Sequence, residues 1–260
     1  MAPRESFETV AGCKTRIMRA GSGTPLLFLH GAGGARAWLP FMEKLAQHFN
    51  LIVPEHPGFG GSDMPDWLDN VGDLAFFYLD LIDQFGLEDI NLVGTSMGGW
   101  IAAEMAVRSC DRLASLVLSA PAGIHVKGVA RGDSFLWSPE EHTRNLVHDQ
   151  SLAETMLARP LSDDEQLANM KNRLILAKLA WQPRFYNPHL AKWLHRIKAP
   201  TLILWGDDDK VMPPAYGPAF QKLIPGARIE TIRNCGHLPQ VERMDEWTGR
   251  IVAFIAEVAS

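Results

Sequence analysis

Gly94-Thr95-Ser96-Met97-Gly98-Gly99 holds a serine between small residues, directly after the apolar run Ile90–Val93 and before a helix-like segment from Trp100. Strand, glycine-flanked serine, helix is the pattern of a nucleophile elbow. So sharp a turn tolerates only small neighbours, and it lifts the serine hydroxyl above a sheet edge at the positive end of the next helix. Backbone N–H groups there face any developing oxyanion. A serine hydroxyl is a poor nucleophile until a base takes its proton. Asn234-Cys235-Gly236-His237-Leu238-Pro239 supplies an imidazole after a late strand, and Trp205-Gly206-Asp207-Asp208-Asp209 supplies carboxylates after an earlier one. The order Ser, Asp, His along the chain is the one that an elbow of this kind requires. Only one carboxylate can take the imidazole Nδ1–H bond in a fixed geometry, and the run itself leaves open which of the three aspartates does so.

The elements that must carry these residues alternate. Leu26–Leu29, Leu51–Pro54, Ile90–Val93, Leu116–Leu118, Thr201–Trp205 and Ile229–Ile232 read as short strands buried on both faces. Between and after them, 36–48, 68–85, 100–108, 216–223 and 245–258 read as helices. This predicts a doubly wound, mostly parallel α/β sheet. Residues 5–20 are more polar, end at Gly21-Ser22-Gly23, and fit an antiparallel hairpin that opens the sheet. Residues 122–196 break the alternation: they are helix-like, proline-punctuated, and contain Trp137, Trp181 and Trp193. A stretch of that length is too long for a simple connection. It predicts a helical cap inserted after the sixth strand, over the strands' carboxyl ends, where ligands bind in such sheets. The expected division is therefore a core of 1–121 and 197–260 with a cap, or lid, of 122–196.

Composition narrows the function classes. Of 260 residues, 47% are hydrophobic and 21% charged, enough for one large α/β domain. The net charge of −5 and the lack of a basic stripe speak against a nucleic-acid partner. No apolar run reaches the roughly 18 residues of a membrane span, and the start has no apolar leader core. A soluble, cytoplasmic protein is expected. Cys13, Cys110 and Cys235 are odd in number and without a CxxC pair, so they read as reduced thiols. No metal-ligand cluster, phosphate cradle or dinucleotide fingerprint is found, and no cofactor is expected.

The chain resembles the α/β-hydrolase fold superfamily over nearly its whole length. The resemblance rests on His30-Gly31-Ala32-Gly33-Gly34, His56-Pro57-Gly58-Phe59-Gly60-Gly61-Ser62, the elbow, Trp205-Gly206-x-x-Asp209-x-x-x-Pro213 and Gly236-His237. It implies a triad of Ser96, His237 and Asp209, with Asp209 singled out by the Gly-x-x-Asp turn and the proline four positions on. It implies an oxyanion hole from the N–H groups of Met97 and Ala32, with Gly33 as the alternative to Ala32. A serine at the elbow speaks against the haloalkane dehalogenase and epoxide hydrolase branches, which place an aspartate there. His30 and His56 are expected to support loops by hydrogen bonding. His125, His142, His148, His189 and His195 fall in the cap and read as surface or packing residues.

The expected activity is hydrolysis of a small to medium carboxylic ester through an acyl-enzyme, on a substrate with an apolar portion suited to a Trp-, Leu- and Met-rich cap. The elbow and the Cys235-Gly236-His237 segment also resemble the meta-cleavage carbon–carbon bond hydrolases. Those enzymes typically carry asparagine before the serine and an aromatic after the histidine; here these are Thr95 and Leu238. They also use a cap arginine, for which Arg173 is the candidate. Carbon–carbon cleavage is therefore the first alternative, lactonase or perhydrolase activity the next, and a catalytically silent ligand-binding member the non-enzyme one.

Overall fold

The structure is a computed structural model that describes residues 2–260. Strands β1 (Arg4–Val10) and β2 (Cys13–Ala20) form the opening hairpin. Then follow β3 (Pro25–Leu29), α1 (Pro40–Ala46), β4 (Asn50–Pro54), α2 (Val71–Gln84), β5 (Ile90–Thr95), α3 (Met97–Arg108) and β6 (Leu113–Ser119). Helices α4 (Pro139–Leu146), α5 (Gln150–Ala158) and α6 (Asp163–Ala180) and two short 3-10 turns separate β6 from β7 (Thr201–Gly206). The chain closes with α7 (Tyr216–Leu223), β8 (Arg228–Ile232), α8 (Pro239–Glu242) and α9 (Met244–Val258).

The eight strands form one sheet in the order β1-β2-β4-β3-β5-β6-β7-β8. The β1–β2 and β2–β4 pairs are antiparallel, and every pair from β4 to β8 is parallel. β5 and β7 are buried along their full length, which is why they read as mostly apolar stretches, interrupted in β5 by the buried Asn91, rather than as alternating ones. Helices pack on both faces. One apolar cluster joins the sheet to α2, α3 and α7, and a second joins the other face to α1 and α9. Strand order reverses between β3 and β5: β4 lies on one side of β3, and β5 on the other. A crevice opens at the carboxyl ends of strands at such a switch point. The loops after β3 and β5 carry Gly31–Gly34 and Ser96.

Two helices start later than the periodicity places them. The helix expected over 36–48 begins only at Pro40, because proline fixes the first-turn backbone and disfavours helix in the residue before it. The helix expected from Leu68 begins at Val71. Asn70 caps it, accepting from the Gly72 N–H at 2.8 Å, while Asp73 accepts the Asn70 N–H at 2.9 Å. Leu68 is fully buried beside that turn, so its apolar character served the core rather than the helix.

Candidate active site

β5 runs straight into the elbow. Ser96 has φ of 53° and ψ of −114°, a strained conformation for a residue with a side chain. The neighbours make the turn possible. A Cβ on Gly98 would overlap the carbonyls of Leu29 and His30, so α3 can pass the end of β3 only with glycine there. The elbow is tied down by the Ser96 N–H, which donates to Ser119 O at 2.9 Å, and by Ser96 O, which accepts from Trp100 and Ala122. A serine before a helix ordinarily caps it. Ser96 makes no such bond; its hydroxyl lies 2.9 Å from His237 Nε2.

His237 Nδ1 lies 2.8 Å from Asp209 Oδ2. An ionised carboxylate only accepts, so the His237 proton sits on Nδ1, and Nε2 is left to accept from the Ser96 hydroxyl. The other Asp209 oxygen accepts the N–H groups of Val211 at 2.9 Å and Met212 at 2.8 Å. Asp209 and His237 are both buried and Ser96 is half-buried. The relay is therefore dry at its base and open at its mouth. The three consecutive aspartates divide sharply. Asp207 accepts the Cys235 N–H at 3.2 Å and braces the histidine loop. Asp208 points outward, to His148 Nδ1 at 2.9 Å and Lys210 Nζ at 3.5 Å. Asp209 alone faces His237.

The N–H of Met97 opens α3, where helix dipoles and unpaired donors favour negative charge. Ala32 and Gly33 form the turn after β3, closed by the Gly34 N–H to Gly31 O at 3.1 Å. That turn lies against the elbow: a Cβ on Gly31 would sit 3.4 Å from Ser96 Cβ. His30 and His56 hold it from beneath, their rings stacked at 3.6 Å. His30 Nδ1–H donates to Gly31 O at 2.7 Å, and His30 Nε2 accepts the His56 N–H at 2.9 Å. His56 Nε2–H donates to His30 O at 2.8 Å, while Tyr78 O–H donates to His56 Nδ1 at 2.5 Å. Burial pushes His30 down to about 4 and His56 well below its usual value, while it raises Tyr78. All three are neutral at pH 7 and act as a fixed hydrogen-bonded brace.

Several residues escaped the sequence reading. Asn172 on α6 is buried and bridges two loops, its Nδ2 donating to Gly33 O at 2.9 Å and its Oδ1 accepting the Gly60 N–H at 3.1 Å. Glu242 at the end of α8 accepts the N–H groups of Gly236 at 2.5 Å, His148 at 2.7 Å and Asp149 at 2.9 Å. It fastens the histidine loop to the start of α5. Leu146 O accepts the His237 N–H at 2.8 Å, so the end of α4 touches the histidine loop directly. His142, one turn earlier on α4, is lowered by burial and by the nearby His237 and Arg173, and its buried Nδ1 has no hydrogen-bond partner among the described residues. Nothing local marks Asn172, which stands between Lys171 and Arg173 in a polar stretch of α6, or Glu242. Burial pushes the Cys235 thiol up, which keeps this buried cysteine beside His237 in its weakly nucleophilic thiol form.

A parallel sheet with a strained serine at its switch point, backed by a buried imidazole and carboxylate, defines an α/β-fold hydrolase. Residues 24–243 match the α/β hydrolase fold family, and the chain belongs to it. It is similar to the 2-hydroxy-6-oxo-6-phenylhexa-2,4-dienoate hydrolase of Comamonas testosteroni, at 29% identity over 92% of this chain and 90% of that one. It is also similar to Lipase 1 of Psychrobacter immobilis, at 28% identity over 90% of this chain and 77% of that one. A solved bacterial membrane phospholipase A superposes with a TM-score of 0.83 at 27% identity, over 99% of this chain and 87% of that one.

Proposed function

We propose that the protein is a serine hydrolase that cleaves a small to medium carboxylic ester through an acyl-enzyme. The observation that carries the proposal is the unbroken relay from Ser96 Oγ through His237 to Asp209, at 2.9 and 2.8 Å. His237 Nε2 takes the Ser96 proton as Oγ bonds to the ester carbonyl carbon. The tetrahedral oxyanion is held by the N–H groups of Met97 and Ala32, with Gly33 next in line. Each such donor is worth about 2.7–4 kcal/mol in the transition state. His237 then gives its proton to the leaving alcohol as the carbon–oxygen bond breaks. Water, deprotonated by the same Nε2, attacks the acyl group and releases the acid. Asp209 holds the tautomer throughout and stabilises the transient imidazolium.

The segment 122–196 acts as a cap over this site. Its support is the pair of ties it makes to the machinery, Leu146 to His237 and Asn172 to Gly33. The dienoate-hydrolase relative favours a second reading, carbon–carbon cleavage, in which Arg173 would bind the substrate carboxylate beside His142. Turnover of p-nitrophenyl acetate and butyrate, compared with dienoic keto-acids and lactones, separates the readings. Ester turnover that vanishes in Ser96→Ala is expected. A fluorophosphonate that labels the wild-type protein and the Ser96→Ala variant equally would overturn Ser96 as nucleophile. Labelling with turnover of keto-acids alone would move the assignment to the second reading.

A further inference from the structure

One cap side chain holds the loop that follows β3. Asn172, on the inner face of α6, is buried, and both ends of its amide are used. Oδ1 accepts the Gly60 N–H at 3.1 Å, which fixes the way the amide faces, and Nδ2 donates to Gly33 O at 2.9 Å. Gly33 O and the Gly34 N–H are the two ends of one peptide unit, and in a trans unit they point in opposite directions. That N–H donates to Gly31 O at 3.1 Å. Gly31 O belongs in turn to the 31–32 unit, whose other end is the Ala32 N–H. The His30 imidazole also donates to Gly31 O, at 2.7 Å. Anchoring Gly31 O therefore sets the direction of the Ala32 N–H, which has no backbone acceptor among the described residues.

The 33–34 unit is the pliable member of this chain of bonds. Glycine flanks it on both sides, Gly34 at a φ of 86°, and a Cβ on Gly33 would meet nothing within 4 Å. Such a unit turns over with little steric resistance. Turned over, it would set its N–H against Asn172 Nδ2 and its carbonyl against Gly31 O, donor to donor and acceptor to acceptor. We propose that Asn172 is a positioning residue for the reaction: through the 33–34 and 31–32 units it holds the Ala32 N–H at the oxyanion, so a cap residue completes one half of the hole. The inference rests on the ester-hydrolase reading above and on its assignment of Ala32. The neighbouring Lys171 separates positioning from simple docking of the cap. Its Nζ donates to Gly60 O at 2.6 Å and Ser62 O at 3.0 Å, tying α6 to the loop after β4, and it makes no bond to the loop after β3.

The test compares the wild type, Asn172→Leu and Lys171→Met in hydrolysis of p-nitrophenyl butyrate, each normalised to sites titrated with a fluorophosphonate. A trifluoromethyl ketone is measured alongside, because its adduct with Ser96 Oγ carries an oxyanion. Asn172→Leu should lower kcat about tenfold to a hundredfold with KM little changed, short of the roughly 10²–10³-fold that deleting a donor outright costs. Its ketone inhibition constant should rise by the factor by which kcat/KM falls. The pH midpoint of kcat/KM should stay put, since His237 and Asp209 are untouched. Lys171→Met should melt earlier yet turn over as the wild type does. Should Asn172→Leu fail to fold, Asn172→Ala carries the test, with a fall of about tenfold expected. The proposal is overturned by a kcat within about threefold of the wild type in the Asn172 variant, by a loss confined to KM, or by an equal loss in Lys171→Met. Any of these beside Ser96-dependent turnover in the wild type leaves the hydrolase reading standing. Where the ketone binds without ester turnover, an inhibition constant unchanged in the Asn172 variant overturns the proposal. A wild type that neither turns over the ester nor takes the ketone ends both.

Discussion

Asp209→Asn tests the relay most sharply, because the structure dictates which way the new amide must turn. Oδ1 of Asp209 accepts two backbone N–H groups, from Val211 and Met212. An asparagine keeps both bonds only by placing its oxygen there. Its NH2 then faces His237 Nδ1, which must accept, so the imidazole proton moves to Nε2 and points at Ser96. A base cannot act in that tautomer. The opposite rotamer restores the tautomer but aims NH2 at two buried N–H donors. Leaving two such donors unsatisfied costs about 2–6 kcal/mol, from ~1–3 kcal/mol each. The competent rotamer is then populated at roughly one part in 30 to one in 10⁴, using ~1.4 kcal/mol per factor of ten. Loss of the carboxylate charge beside the imidazolium pushes the result towards the larger figure, and kcat should fall about 10²–10⁴-fold with KM little changed. Ester turnover is the assay, with Asp207→Asn and Asp208→Asn alongside. Asp208, outward and salt-paired, should be nearly neutral; Asp207 should cost less than about tenfold, through looser bracing of Cys235. An Asp209→Asn variant within threefold of the wild type, or one outdone by either neighbour, would refute the reasoning.

Glu242→Gln removes a charge that accepts three N–H groups. Charge-assisted bonds are worth ~1.5–3 kcal/mol each, and the amide must turn one donor on another. A stability loss of about 2–3 kcal/mol by denaturant titration is expected, with a larger fall in kcat than in KM; unchanged stability would show the three bonds to be idle. Stability should fall on acidification. His30 is held at about 4 in the fold and titrates near 6.5 when unfolded, so the unfolded chain binds more protons between those values and folding weakens as pH drops through them. From pH 7 to pH 5 the loss from His30 is about 2 kcal/mol. Urea midpoints at the two pH values should diverge in the wild type and diverge less in His30→Asn, where buried His56 still contributes; an equal divergence in the two proteins would remove His30 as a cause. Gly98→Ala should yield little folded protein, since its methyl would meet the Leu29 and His30 carbonyls; a soluble variant that melts as the wild type does would contradict the close passage of α3 over β3.

The parts of the site that sequence made legible are local ones. A strained serine needs small flanking residues within a few positions, so Ser96 announces itself against a predicted strand end, as the His237 loop does; Asp209 is set apart from Asp207 and Asp208 only by the Gly-x-x-Asp turn that the family resemblance implies. The sheet reads clearly for the same reason: strands buried on both faces leave unbroken apolar runs within β3, β4 and β7, and one interrupted by Asn91 within β5. Long-range ties leave no such mark. Asn172 reaches Gly33 across 139 positions and Gly60 across 112. The Glu242 carboxylate joins a turn six residues away to one that is 94 away. Neither partner constrains the letters around the other, so only folding brings them together. The aspartate run shows the boundary within three residues. Composition there is uniform, yet the end of β7 sends Asp207 back to the histidine loop, Asp208 out to His148 and Asp209 inward to the base. Chemistry of this kind is set by the direction of a side chain at a strand end, and a one-residue slip in that register would exchange a buried base-orienting carboxylate for a solvated one.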